Sequence, residues 1–204
     1  MDSTFLLKVA KDVLGDDVLA VTAQPETTPQ HELKDATRLA KALGAEHLLI
    51  KARELDIPEF VKNPLNKCYI CKKSRFASLF DLARERGFAY VVDGENLDDH
   101  GDYRPGIRAT RELGVGIPLA EAKLSKDEIR ILSKGLGLPT WDKSSYACLA
   151  SRIPYHSPIN AEKLRQVDAG EEFIRSLGIA SQMRVRHYGD KARIEVEDHE
   201  MPKG

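Results

Sequence analysis

Short apolar runs and amphipathic helical segments take turns along residues 1–135 of this 204-residue chain, and that alternation limits the fold more than any other feature. VLAVTA (18–23), HLLIKA (47–52) and AYVVDG (89–94) read as buried strands, and IPLAEA (117–122) as a shorter one. Between them, helices are expected over 3–14, 32–43, 69–87 and 106–114, several closed by glycine. Asp2, Ser3 and Thr4 are residue types that cap a helix start. A further helix begins at Ser125, where Glu128 three residues on completes a capping box, and ends near Gly135. Strand and helix in alternation predict an α/β domain with a parallel, doubly wound sheet.

Beyond Pro139 the texture changes. SSYACLASRIPYHSPI is loop-like, 161–177 is helical, and MRVRHYG and KARIEVE read as two strands joined at Tyr188-Gly189-Asp190. The chain therefore divides into a first domain over 1–144 and a small α+β domain over 145–204.

Net charge is −1, so the whole molecule has no strong pull toward nucleic acid or an anionic membrane. No apolar run approaches the roughly 18 residues of a transmembrane helix, and no signal peptide is visible. The expected location is the cytoplasm. Three cysteines suit a reducing compartment, and the C-x-x-C of Cys68 and Cys71 points there to metal, cluster or redox chemistry.

Open α/β sheets bind ligands at the carboxyl ends of their strands. Those ends carry Thr22-Ala23, Lys51-Ala52 and DGENLDD, which begins at Asp93. Asp93, Gly94, Asn96 and Asp98 offer hard oxygen donors and a close backbone approach, suited to Mg²⁺ and phosphate, although a solvated acidic turn has the same composition. Cys68, Cys71 and Cys148 can hold three irons, a zinc with His156 as fourth ligand, or simply pack as small apolar side chains. Arg184 and Arg186 alternate on one strand and so share a face, where two guanidinium forks suit a phosphate. Arg152 stands near Cys148 in sequence and could serve a carboxylate or phosphate. Tyr69 and Glu172 are weaker candidates for touching a substrate.

Asp2-Ser3, a strand ending VTA, and VVDGENLDD, in this order, resemble the PP-loop ATP pyrophosphatases, whose signature is S-G-G-x-D-S. Only the last part of that signature stands here, with Met1 at the variable position. The reading therefore expects a chain truncated within the PP-loop, and at its C-terminus, where EVEDHEMPKG follows a strand. NKCYICK (66–72), DGENLDDHGDYRPG (93–106), CLASRIPY (148–155) and RVRH with ARIEVE together resemble the ATP-dependent sacrificial sulfur transferase family LarE, over essentially the whole chain.

The resemblance implies a Rossmann-like PP-loop fold and a sulfur transferase. Members adenylate the carboxylates of pyridinium-3,5-biscarboxylic acid mononucleotide with ATP and Mg²⁺ and convert them to thiocarboxylates for the nickel-pincer nucleotide cofactor. One version of the family sacrifices a cysteine; the other holds a [4Fe-4S] cluster on three, and Cys68, Cys71 and Cys148 match that version. Carried over residue by residue, Asp2, Ser3, Thr22, Asp93, Gly94, Asn96 and Asp98 become the ATP and Mg²⁺ set. Arg184, Arg186 and Arg152 take the substrate phosphate. The expected partner is the pyridinium mononucleotide, with no nucleic acid and no membrane, in a homo-oligomer that covers the exposed sheet. Two departures stand out: His156 follows R-I-P-Y where the family has Gly, and Ser144 follows D-K where it often has Pro.

Two alternatives compete. PP-loop enzymes that thiolate tRNA present basic surfaces and additional cysteine pairs, which net charge −1 and a single C-x-x-C do not match. A non-catalytic nucleotide-binding fragment would follow from the absent Ser-Gly-Gly.

Overall fold

The computed structural model describes residues 1–101, 105–144, 146–179 and 182–197; the expectations placed on 102–104, Ser145 and 198–204 lie outside them. Helix α1 (Asp2–Leu14) leads to strand β1 (Leu19–Gln24), helix α2 (Gln30–Ala42) and strand β2 (Glu46–Lys51). β1 and β2 pair in parallel, from Leu19 opposite Glu46 to Gln24 opposite Lys51, as a strand–helix–strand unit requires. A short helix α3 (Pro58–Val61), which the sequence pattern did not announce, precedes the long α4 (Lys67–Arg86).

Two expected strands are corrected. AYVVDG forms a single parallel bridge, Val92 to Gly116, rather than a strand. IPLAEA is the short helix α6 (Pro118–Glu121), after α5 (Pro105–Leu113). One proline explains the second and limits the first. Pro118 at the first helical positions has no N–H for a ladder and a φ already suited to a helix, so pairing stops just beyond Gly116. Between β1 and the 89–92 segment lies a cavity of about 550 Å³, lined by Leu14, Leu19, Val21, Leu79 and Tyr90 among others.

The start of α1 is a second correction. Met1 occupies the N-cap with no side-chain cap bond, and Asp2 lies inside the first turn. The next helix, α7 (Lys126–Gly135), has the expected box: Glu128 N donates to Ser125 Oγ at 3.3 Å, and Ser125 N donates to Glu128 Oε2 at 2.8 Å. Helix α8 (Ala161–Ser176) and the antiparallel hairpin of β3 (Arg184–Tyr188) and β4 (Lys191–Glu195) finish the fold as read.

Three apolar clusters hold these elements. Phe5 of α1 packs with Leu119, Ile129 and Leu138. Ile174 of α8 packs with Met183 and Val185 beneath the hairpin. Phe60, Leu149, Ala150, Ile153, Ile159, Leu164 and Val167 form the third, with Cys71 and Cys148 against it. All seven are at most 2% exposed, so each Leu or Ile there contributes about 1.5–3 kcal/mol of burial. Among the described residues no helix is long and apolar enough to cross a membrane.

Candidate active site

A cavity of about 580 Å³ brings together, with other lining residues, Asp2 and Ser3 of α1, Asp93 to Glu95 of the acidic loop, Lys67 to Arg75 of α4, and Cys148. Local geometry explains the meeting. Cys68 and Cys71 lie three residues apart on α4 and so share a face. Cys148 opens a 3-10 turn over Leu149–Arg152 whose apolar side chains are sunk in the cluster below.

At the acidic end, Gly94 is required by close approach: a Cβ there would stand 2.9 Å from Ser3 N. Asp93 accepts from Lys72 Nζ at 2.8 Å and from Gly94 N at 2.9 Å. Asp2 pairs with Lys126 through one oxygen, while its Oδ1 is buried with no hydrogen-bond partner among the described residues. Asn96 and Asp98 stand behind this surface. Asn96 Oδ1 accepts from Asp98 N at 3.0 Å and Asp99 N at 3.3 Å, and Asp98 Oδ2 accepts from Lys126 N at 2.7 Å. They shape the loop and dock it on α7. Thr22 is hydrogen-bonded to His47 at 2.9 Å and is not part of the cavity wall.

The three cysteines are free thiols on the same cavity. Burial pushes the Cys71 thiol up to about 12, opposed by Arg75 and reinforced by Glu54. Burial also raises Cys68. A thiol so placed is no nucleophile at neutral pH without a metal or cation to stabilise its thiolate. Sequence reading missed Glu54, which is 1% exposed, accepts from Cys71 Sγ at 3.5 Å, and pairs with Arg75 at 2.5 Å. It also passed over Lys67, which is 4% exposed and donates to Asn63 Oδ1 at 2.7 Å and Ala150 O at 2.9 Å. Lys67 stands inside the quoted NKCYICK, so its place beside Cys68 was the available signal; Glu54, in ARELD, carried none.

The arginine set separates. Arg152 is 2% exposed and pairs with Glu171 at 2.8 Å, and its Nη1 donates to Ala147 O at 2.8 Å and Cys148 O at 3.4 Å. It holds the Cys148 backbone rather than waiting for an anion. Arg184 and Arg186 do share a face of β3, because Val185 between them is buried. Arg186, paired with Glu195 at 2.7 Å, lines a second cavity of about 230 Å³; Arg184 does not. Glu172 points outward to Arg175 at 2.7 Å, and the buried neighbour is Glu171, 1% exposed, which also accepts from Val185 N at 3.0 Å. Tyr69 turns to α5 and donates to Glu112 at 2.6 Å. His156 is exposed, off the cysteine cavity, with φ 66. That left-handed backbone accounts for glycine as the residue type expected there.

The buried Asp2 Oδ1, unpartnered among the described residues and beside Ser3 and Asp93, fits Mg²⁺ and phosphate. Three thiols facing one cavity have the donor chemistry iron requires. Among the described residues, however, no group of three or more His, Cys, Asp or Glu is gathered as around a metal ion.

No family model matches the chain. An uncharacterised protein of Synechocystis is 45% identical over 196 residues, covering 96% of this chain and 73% of that protein. The pyridinium-3,5-bisthiocarboxylic acid mononucleotide synthase of Lactiplantibacillus plantarum is 38% identical over 199 residues, covering 97% of this chain and 72% of that enzyme. A tRNA-specific 2-thiouridylase of Desulforamulus reducens is 26% identical over 172 residues, covering 63% of this chain and 46% of that enzyme.

Proposed function

The chain belongs to the family of pyridinium-3,5-bisthiocarboxylic acid mononucleotide synthases, and from that premise we propose that it makes the same kind of product. It is an ATP-dependent sulfurtransferase whose substrate is pyridinium-3,5-biscarboxylic acid mononucleotide and whose product serves a nickel-pincer nucleotide cofactor. The observation that carries this reading is one cavity with phosphate-type residues at one end and three thiols at the other.

A carboxylate is a poor acyl electrophile. Its oxygen attacks the α-phosphorus of ATP, the bond to pyrophosphate breaks, and the acyl adenylate that forms has a good leaving group. Asp2, Ser3, Asp93 and Gly94 bind the nucleotide and would hold Mg²⁺, which offsets charge on the phosphates. A sulfur nucleophile then adds to the acyl carbon and AMP departs with the bonding pair. Cys68, Cys71 and Cys148 would hold a [4Fe-4S] cluster, which when bound supplies the sulfur. Lys67 and Arg75 bring positive charge to that thiol-lined wall. Residues 1–144 carry the nucleotide, and 145–204 bring Cys148 and the mononucleotide phosphate, with Arg186 as anchor.

The test is to incubate anaerobically purified chain with ATP, Mg²⁺ and the biscarboxylate mononucleotide, following pyrophosphate and thiocarboxylate by mass spectrometry. Substrate-dependent release of both is the expected result. Thiolation of a tRNA transcript, with none of the mononucleotide, would overturn it. Iron and acid-labile sulfide that vanish in Cys68→Ser support the cluster; conversion of Cys148 to dehydroalanine in iron-free protein would replace it with the sacrificial route.

A further inference from the structure

The cysteine cavity and the smaller cavity of about 230 Å³ share Lys67 and Tyr155 as a common wall. The smaller one is also lined by Ser151, Arg152, Arg186 and Tyr188, so its wall holds three cations and no carboxylate. Two of those cations are already matched. Arg152 is paired with Glu171 at 2.8 Å and Arg186 with Glu195 at 2.7 Å. Lys67 is different. Its ammonium donates to two neutral oxygens, Asn63 Oδ1 and Ala150 O, and lies 4.7 Å from the centroid of the Tyr155 ring. It makes no ion pair among the described residues, although it is only 4% exposed.

An ammonium has three hydrogens, and two neutral acceptors leave one unused. A buried cation without an anion is a standing cost to the fold, since two neutral oxygens and a ring face offset its desolvation only in part. Asn63 and Ala150 fix where the nitrogen sits without neutralising it. The positive charge is therefore held in place at the boundary of two cavities.

We propose that Lys67 binds the phosphate of the pyridinium mononucleotide in the smaller cavity, together with Arg186. This rests on the substrate reading above and adds a binding residue to it. Ser151 is suited to join them: its Oγ accepts from Arg152 Nη1 at 2.8 Å, so its own hydrogen is left to donate. A phosphate seated there touches the residue next to Cys68, which directs the nucleotide's ring toward the thiol-lined cavity.

The test is calorimetric binding of nicotinic acid mononucleotide, a simple pyridinium carboxylate mononucleotide, to the full chain, with its dephosphorylated nucleoside and Mg·ATP as controls. Lys67→Met should weaken the mononucleotide about 30-fold or more, the usual scale for removing one partner of a buried charge pair, and leave nucleoside and ATP affinity nearly unchanged. Lys67→Arg, which keeps the charge, should retain most of the affinity. Equal weakening of mononucleotide and nucleoside in Lys67→Met, or no weakening, overturns the proposal. Should Lys67→Met fail to fold, wild-type protein decides: inorganic phosphate must compete with the mononucleotide and not with the nucleoside, and absence of that competition overturns the site. Lys67-dependent binding in a chain that forms no thiocarboxylate would sink the function proposed above and leave this site standing.

Discussion

The parallel sheet and the cluster under Cys148 are built to opposite standards. In the sheet, Leu49 is 42% exposed, and Val92, at the single bridge, is 48% exposed. A cavity of about 550 Å³ separates β1 from the 89–92 segment. Under Cys148, seven apolar side chains are at most 2% exposed. Polar pegs are driven through the same region: Arg152 with Glu171, and Lys67 with Asn63. The difference locates rigidity. Close packing stands beneath the cysteine end of the cavity. The acidic end is built from the first turn of α1 and from loop backbone, where Gly94 meets Ser3 and Asn96 ties the acidic turn. Phosphate binding asks for N–H groups and charge, which helix starts and loops supply well; holding three sulfur ligands at fixed positions asks for a fixed scaffold.

Substitutions can break this contrast. The largest effect is expected at neighbouring glutamates. Glu171→Leu should cost about 3–5 kcal/mol, because Arg152 is left buried without its anion. Glu172→Leu, one position on and exposed, should stay within about 0.5 kcal/mol. Chemical denaturation of both variants measures this, and equal losses would mean the Arg152–Glu171 pair is not the support inferred here. Next, Leu164→Ala in the cluster should cost about 2–5 kcal/mol, against less than about 1 kcal/mol for Leu49→Ala in β2, whose side chain is already partly in water. Comparable costs would erase the distinction between the regions. The smallest effect has the opposite sign. His156 holds φ 66, a conformation glycine adopts without strain, so His156→Gly should stabilise by up to about 1 kcal/mol, read as a raised Tm.

Much of this fold was legible in the sequence because it rests on local signals. The capping box at Ser125, the glycine stops and the β3–β4 hairpin need only neighbours to be read. Misreadings arose where a local signal met a competing one. IPLAEA alternates like a strand, but Pro118 cannot donate to a ladder, and the helix wins. AYVVDG has strand composition but finds a partner only at Gly116. In the site, C-x-x-C and the acidic loop were visible as motifs. The phase of α8 was not: Glu171 and Glu172 differ by about 100° around the axis, and only packing against β3 decides which one is buried. Arg152 looked like a free ligand because its partner lies 19 residues away. Lys67 stood in view inside NKCYICK, but only packing shows that its ammonium is buried.

Asn63 shows how one side chain joins these parts. It sits at φ 54, fully buried, and its Nδ2 lies 3.2 Å from Ile153 O, 2.8 Å from Pro154 O and 3.0 Å from Ser157 O. An amide has two hydrogens, so three acceptors mean that one hydrogen is shared. Its own carbonyl oxygen meanwhile receives Lys67, and its backbone oxygen receives His156 N at 3.0 Å. The loop beyond Cys148 is thus seated at four points on one support, three through the amide nitrogen and one through the backbone oxygen, and the same residue fixes the start of α4. In mechanical terms this is a mount with more than two contacts, which sets the tilt as well as the position of the seated part. The two cysteine motifs, eighty residues apart in sequence, therefore share one frame of reference.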